Sequence, residues 1–188
     1  MKLKPLSVIL GIVAVLTVWL WTGYNGLVTS KETVDATWAQ VETQYQRRFD
    51  LVPNLVSTVK GAANFEQETF TAVTAARSQW QAAAGTGDRA GQIAAAQGFD
   101  SALSRLLLTV EAYPQLQATQ AYRDLMTQLE GTENRIATAR RDFNEVVKTF
   151  NISVKRFPGM ILAKAFGFTE EAFFQSSDAA AEAPKVDL

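Results

Sequence analysis

The chain has 188 residues, a formal net charge of −1, no cysteine and no histidine. So even a balance excludes a basic face strong enough to collect nucleic-acid phosphates, and the absence of thiols excludes disulfides, thiolate nucleophiles and cysteine metal sites. Without imidazole the common general bases, activated nucleophiles and zinc sites are missing too, which leaves carboxylates, lysines and hydroxyls for any catalysis; no cofactor is expected.

Residues 1–5 are a short basic start carrying Lys2 and Lys4, and residues 6–21 read LSVILGIVAVLTVWLW without a charge. Carried on to Tyr24 as a helix, this run covers roughly 28 Å, close to the ~30 Å hydrocarbon thickness of a bilayer. Trp19, Trp21 and Tyr24 gather at its far end, where amphipathic rings favour the headgroup level, while the two lysines flank the near end. A cleaved signal peptide is the rival reading. The WTGYNG that follows the apolar core lacks an A-x-A-like cleavage site, so residues 6–24 are read as a retained transmembrane anchor. Lys2 and Lys4 stand against Lys31, which has Glu32 and Asp35 beside it. That bias favours a cytoplasmic N-terminus in the inner (plasma) membrane, with the rest of the chain outside the cytoplasm.

Residues 25–157 carry helical periodicity, and nothing suggests strands. A first seam runs through Val34, Trp38, Val41, Tyr45, Val52, Leu55 and Val59. Pro53 lies inside it, so the helix either kinks there or ends, with Asp50 capping a fresh helix. The unbroken phase of the pattern favours the kink and puts the chain reversal at residues 61–64. A second helix carries Phe70, Val73 and Trp80 and closes at Gly85-Thr86-Gly87-Asp88, a turn with a capping aspartate. A third carries Ile93, Ala96, Phe99, Leu103, Leu106, Val110 and Tyr113, and Pro114 then forces a break or bend. The last is the most regular, from Ala118 through Leu129 and Ile136 to Phe150.

Four antiparallel segments with short connections predict an all-α fold: an N-terminal transmembrane helix followed by an up-and-down antiparallel four-helix bundle of long helices. The heptads also permit a coiled-coil dimer, but the short turns favour packing within one chain. Residues 175–188, QSSDAAAEAPKVDL, hold too little apolar content to fold and read as a disordered tail.

Three charges break the apolar pattern: Arg48 on the first seam, Glu66 and Arg77 on the second. A charge buried without a partner costs several kcal/mol, so they are expected to pair with one another or with Glu133-Asn134 and Arg140-Arg141 on the last helix. A register-fixing structural network is the favoured reading. The sharper alternative is a carboxylate site built from Glu66, Glu68, Glu130 and Glu133. Di-iron bundles complete such sites with Glu-x-x-His pairs, which a histidine-free chain cannot supply, so only a magnesium or calcium version survives. The sequon Asn151-Ile152-Ser153 reads as an ordinary helix end rather than a glycosylation signal.

Several runs, in order, carry a family resemblance: YNGLV from Tyr24, QRRFDLVPNLVSTVKG from Gln46, Glu66 with Ala76-Arg77, YPQL from Tyr113, LEGTENRIATARRDFNEVVKTFN from Leu129 and FPGMILAKAFGF from Phe157. The sequence from Tyr24 to Phe174 resembles the LemA family; Phe143 departs from the pattern, where the family more often has tyrosine. The resemblance implies a short N-terminal anchor and an up-and-down four-helix bundle, with no established enzymatic activity. It also implies a partner or adaptor role in envelope quality control, since some members are linked to a membrane zinc metalloprotease. It assigns Arg48, Glu66, Arg77, Glu133, Asn134, Arg140 and Asn144 to structure or partner contact rather than to catalysis.

An even number of helices brings the last one back toward the bilayer. Residues 158–174 then follow Lys155 and Arg156, and the stretch KRFPGMILAKAFGF has the composition of an interfacial helix. Lys155, Arg156, Phe157, Met160, Phe166 and Phe168 are therefore candidate membrane contacts; the alternative is that the segment folds back over the open end of the bundle. The functional expectation is a non-enzymatic, single-pass membrane scaffold or adaptor for another envelope protein. A metal-dependent enzyme using bundle glutamates, or a membrane-linked sensor, is the competing reading.

Overall fold

The computed structural model describes residues 5–60, 67–111 and 113–174. Its elements are α1 (Pro5–Lys60), α2 (Gln67–Thr86), α3 (Arg89–Glu111), α4 (Pro114–Gln117), α5 (Gln120–Lys155) and α6 (Gly159–Phe166). The described residues are all-α. The reversal expected at residues 61–64, the tail at 175–188 and Glu66 lie outside the described residues.

Local chemistry sets the helix ends. At the α2–α3 turn Gly87 takes φ 71°, the left-handed geometry that glycine adopts without a steric cost. Its N–H donates to Ala84 O at 3.2 Å and that of Asp88 to Ala83 O at 3.0 Å, so the last carbonyls of α2 are satisfied in a Schellman arrangement. The Asp88 carboxylate then accepts from Gly91 N at 2.9 Å and caps α3, as expected of the capping aspartate. Pro114 begins α4, where its missing N–H does no harm, and Thr119 Oγ1 accepts from Tyr122 N at 3.3 Å at the start of α5. Pro53 behaves otherwise. It lies inside α1, which runs unbroken through it, so the reading in which Asp50 starts a fresh helix does not hold; instead Asp50 Oδ1 accepts from Gln46 Nε2 at 2.9 Å. Anchor and first bundle helix are likewise one element rather than two.

The chain divides into two compact units, the first holding residues 1–40 and 141–173, the second 41–140 and 174–188. In the second unit, pairings give the helix directions. Tyr45 stacks on Trp80 at 4.7 Å while Asp50 faces Arg77 at 3.9 Å, so α1 and α2 run antiparallel. Gln92 bonds Glu42 and Arg48 bonds Asp100, so α1 and α3 are parallel. Arg48 meets Glu133 and Tyr45 meets Arg140, so α5 runs against α1. This is the up-and-down order of the expected bundle, with the short α4 inserted before the last long helix. Its core is aromatic: Phe49 packs edge-on against Phe99 at 4.6 Å and against Trp80 at 5.6 Å, and Tyr45, Phe49 and Phe99 are fully buried. Edge-to-face pairs add ~0.5–1.5 kcal/mol each beyond area burial.

The first unit holds α1 to residue 40, the end of α5, and α6. Trp38 packs on Phe143 at 5.1 Å, and Leu27, Val34, Val147 and Phe150 are buried with them. Phe143, which departs from the family's usual tyrosine, is wholly buried. α6 turns back onto α1. Leu162 seats against Gly23, where any Cβ would clash with its Cδ1, and Leu27, Leu162 and Ala163 form a small core flanked by Trp19, Val154 and Phe168. Tyr24 packs against Phe166, the rings tilted by 57° with centroids 4.8 Å apart. On the N-terminal side of this contact no described residue covers α1: Leu6, Ile9, Leu10, Ile12, Val13, Val15 and Val18 are each more than half exposed.

Gly159 lies so close to the Ser153 carbonyl that a methyl group cannot fit. Because that neighbour is backbone, Gly159→Ala is expected to loosen α6 by ~1–3 kcal/mol. Hydrogen exchange followed by mass spectrometry will show it as faster exchange across residues 157–168 and little change in α3.

Candidate functional site

Inside the second unit four charged side chains from three helices converge. Arg48, on an apolar face of α1 and only 8% exposed, donates from Nη1 to Asp100 Oδ1 of α3 at 2.7 Å. Its Nη2 pairs with Glu133 Oε2 of α5. Arg140, two turns further along α5, donates from Nη2 to Asp100 Oδ2 and to the Tyr45 hydroxyl. Two guanidiniums and two carboxylates cancel in charge, and Asp100 sits at the centre. The ring faces complete the enclosure: Arg140 Cζ lies 5.3 Å from the Tyr45 centroid and 5.0 Å from that of Phe174, and Arg48 Cζ lies 6.0 Å from that of Phe99.

Burial decides the electrostatics. Desolvation pushes the Asp100 carboxyl up to about 7 against the downward pull of Arg48, and nearby Glu133 adds to the rise. Burial also lowers the pKa of Arg140. Such an arrangement can clamp three helices in register. Most of its donors and acceptors meet one another, while Arg48 Nε and Arg140 Nε are buried with no hydrogen-bond partner among the described residues.

The sequence-derived candidates divide accordingly. Arg48, Glu133 and Arg140 are brought together, and the bland reading of them as a paired network describes their geometry. Arg77 is not in this network; it faces Asp50 at 3.9 Å. Asn134 is exposed, one residue or about 100° past Glu133 on the helix. Asn144 is half-buried in the first unit. In the carboxylate alternative Glu130 is exposed and Glu133 is occupied by Arg48.

Sequence reasoning missed Asp100, Tyr45 as a polar member, and Phe174. Asp100 lies four residues after Ala96 and three before Leu103, both on the α3 seam, so the test that exposed Arg48 would have found it. Also missed was the strap after α6. Asn151, 6% exposed, donates from Nδ2 to Glu171 O and accepts at Oδ1 from Glu171 N, both at 2.9 Å, while Lys31 pairs with the Glu171 carboxylate. Both ends of the Asn151 amide are thus engaged, as suits a structural helix end rather than a glycan acceptor.

Of the membrane-contact candidates, Phe157, Met160 and Phe166 are exposed, and Lys155 pairs with Glu170 at 2.7 Å. Arg156 is exposed. Phe168 is corrected: it packs inward against the Leu27, Leu162 and Ala163 core. The fold-back alternative is corrected in its target, since α6 covers the stretch of α1 from Trp19 to Leu27.

Comparison with known proteins fits these features to one group. The model of the LemA family matches residues 37–188. The chain belongs to the LemA family. Among its relatives are magnetosome protein MamQ 2 of Paramagnetospirillum magneticum, 32% identical over 83% of this chain and 66% of that protein, and magnetosome protein MamQ of Magnetospirillum gryphiswaldense, 30% identical over 91% and 71%. Protein LemA of Metamycoplasma hominis is 23% identical over 82% of this chain and 69% of its own. The chain thus spans about two thirds of the length of the relatives it matches. With one helix among the described residues long and apolar enough to cross a membrane, and none of that stretch buried, this LemA-family protein is membrane-associated.

Removing Arg48 leaves Glu133 without its guanidinium and Asp100 with Arg140 as its remaining one. Arg48→Ala is expected to cost ~3–5 kcal/mol, the penalty for uncovering a buried charge, read by chemical denaturation of the full chain in detergent. The Asp100 shift has a defined sign. Its folded pKa near 7 exceeds the unfolded value near 3.8, so the folded state holds the extra proton between them. The contribution is complete below pH ~4 and lost as pH rises through ~7, with a limiting slope of about −1.4 kcal/mol per pH unit. Stability measured from pH 4 to 8 should carry this downward component in the wild type and lose it in Asp100→Asn.

Proposed function

We propose that this protein is a non-enzymatic, membrane-anchored scaffold whose helical bundle binds another protein of the cell envelope. The observation that carries the reading is the Arg48–Asp100–Arg140–Glu133 network: Arg48, the charge that breaks the apolar pattern of α1, is paired with acids of two other helices. The exposed helix faces are then the surfaces available for recognition, as in other helical bundles that read partners through side-chain rows. Uncovered apolar residues of α1 supply the anchor, as a single pass with a cytoplasmic N-terminus in the plasma membrane. A membrane zinc metalloprotease acting in quality control is the partner that the family resemblance brings forward.

The test is photocrosslinking in intact cells from a reactive residue placed singly at Ser104, Leu108, Gln128 and Arg135, all exposed in the second unit. The scaffold reading expects a discrete adduct with another membrane protein from positions on one helical face and none from the opposite face. Adducts from every position alike, or only between copies of this chain, would contradict it. Mass spectrometry of the adduct decides whether the partner is a metalloprotease.

A further inference from the structure

α6 has two apolar faces, and only one is used. Leu162 and Ala163 are 2% exposed against α1, whereas Met160 and Ile161 are each 51% exposed and Phe157, just before the helix, 70%; Phe166 contacts Tyr24 yet is still 54% exposed. A helix apolar all round is stable beside water only if something covers its second face. Three observations identify the cover. α6 docks on α1 at Gly23, Tyr24 and Leu27, immediately past the uncovered run from Leu6 to Trp21, so its bare face continues an apolar surface that already calls for lipid. A groove of about 430 Å³ joins the two, lined by Thr17, Leu20, Trp21, Tyr24 and Asn25 of α1 and Phe166 of α6. And the exposed cations, Arg156 before the helix and Lys164 one turn past Met160 on the same face, suit anionic headgroups that a lysine reaches by extending its stem, while the neighbouring acids Glu170 and Glu171 are engaged by Lys155 and Lys31.

We propose that α6 is a second membrane element, lying at the headgroup–acyl boundary of an anionic bilayer with Phe157, Met160, Ile161 and Phe166 in the lipid and an acyl chain in the groove beside Tyr24. The depth follows from α1. A span of residues 6–22 fills about 25 Å of the ~30 Å hydrocarbon layer, which puts Gly23 to Leu27, and α6 with them, at the interface. Amphipathic helices there sink their apolar face by ~5–10 Å. Leu162, on the inner face, acts as the key that holds α6 at this height, because Gly23 leaves it room.

The chain has no cysteine, so single labels are clean. Full-length protein carrying Met160→Cys, Ile161→Cys or, as a reference, Glu145→Cys is labelled with an environment-sensitive fluorophore. It is then reconstituted into phosphatidylcholine–phosphatidylglycerol vesicles with and without a lipid bearing a doxyl quencher high on its acyl chain. Glu145 is exposed in the same unit, two residues from the Phe143 that packs on Trp38, roughly 15–20 Å along α1 from Tyr24. The expected result is quenching of the Met160 and Ile161 labels at least about twofold stronger than at Glu145, unchanged as the protein is diluted in lipid. Quenching no stronger than at Glu145 overturns the proposal. So does a shielded label that the doxyl lipid does not reach, or shielding that fades on dilution, which would assign the face to a second copy. Met160→Glu with Ile161→Glu alters exposed positions only. With helix content unchanged by circular dichroism, it should bring a label at Phe157→Cys down to the Glu145 level; retained quenching there also overturns the proposal.

Discussion

A guanidinium held away from water inside a helical bundle must find its counter-charge there, and in the second unit the buried charges of α1, α3 and α5 are arranged around that demand. Arg48 sits where the α1 seam calls for an apolar residue, and the desolvation cost of its charge is several kcal/mol unless carboxylates meet it. Asp100 meets it and, with its second oxygen, meets Arg140 as well. One carboxylate shared by two arginines ties α1, α3 and α5 at a single level. Glu133 supplies the second negative charge from a more open position, its side chain about half exposed. The aromatic packing follows the same register, because Tyr45 gives its hydroxyl to the network and its ring face to Trp80. An apolar core alone would tolerate a slip of one heptad; this charge arrangement does not.

How much of this was legible depended on whether the cause was local. The α2–α3 turn was readable residue by residue, since a glycine at positive φ and an aspartate capping the next helix act within four positions. Arg48 was readable because it interrupts an apolar run. Asp100 has the same property one residue beyond Phe99, but the α3 seam is so rich in apolar residues that the acid hides beside them. Glu133 and Arg140, seven apart on α5, share a face by helical geometry, while Asn134, adjacent in sequence, does not. Pro53 shows the limit of a strong local rule. Proline in a helix interior is costly, yet α1 continues through it, and the uninterrupted phase of the apolar pattern was the better guide. The docking of α6 on Gly23 pairs residues distant in sequence, and no local signal told which face of KRFPGMILAKAFGF would turn inward. Phe166 and Phe168 look alike in sequence; one stays out and the other goes in.

In the first unit the governing term is apolar surface rather than charge. Residues 6–21 of α1 expose large side chains on every side, at roughly 25 cal/mol for each Å² that water would have to cover. No described residue covers most of this surface, and a bilayer suits it in length and composition. α6 adds a small interlock just beyond it. Asn151 and Glu171 then bind the strap that leaves α6 back to α5 through a reciprocal pair of hydrogen bonds.

The functional account rests on the network being structural. Arg48, Asp100, Arg140 and Glu133 pair with one another across three helices, which is what a register clamp requires. The most direct measurement is a double-mutant cycle on the full chain, Arg48→Met against Asp100→Leu, read by denaturation at pH 8, where Asp100 is ionised. The account predicts a coupling of about 1–3 kcal/mol, with the double variant more stable than the sum of the single losses implies. Strictly additive losses, with no coupling, would contradict it, because the two side chains would then not be holding one another and the network would not be what fixes the fold.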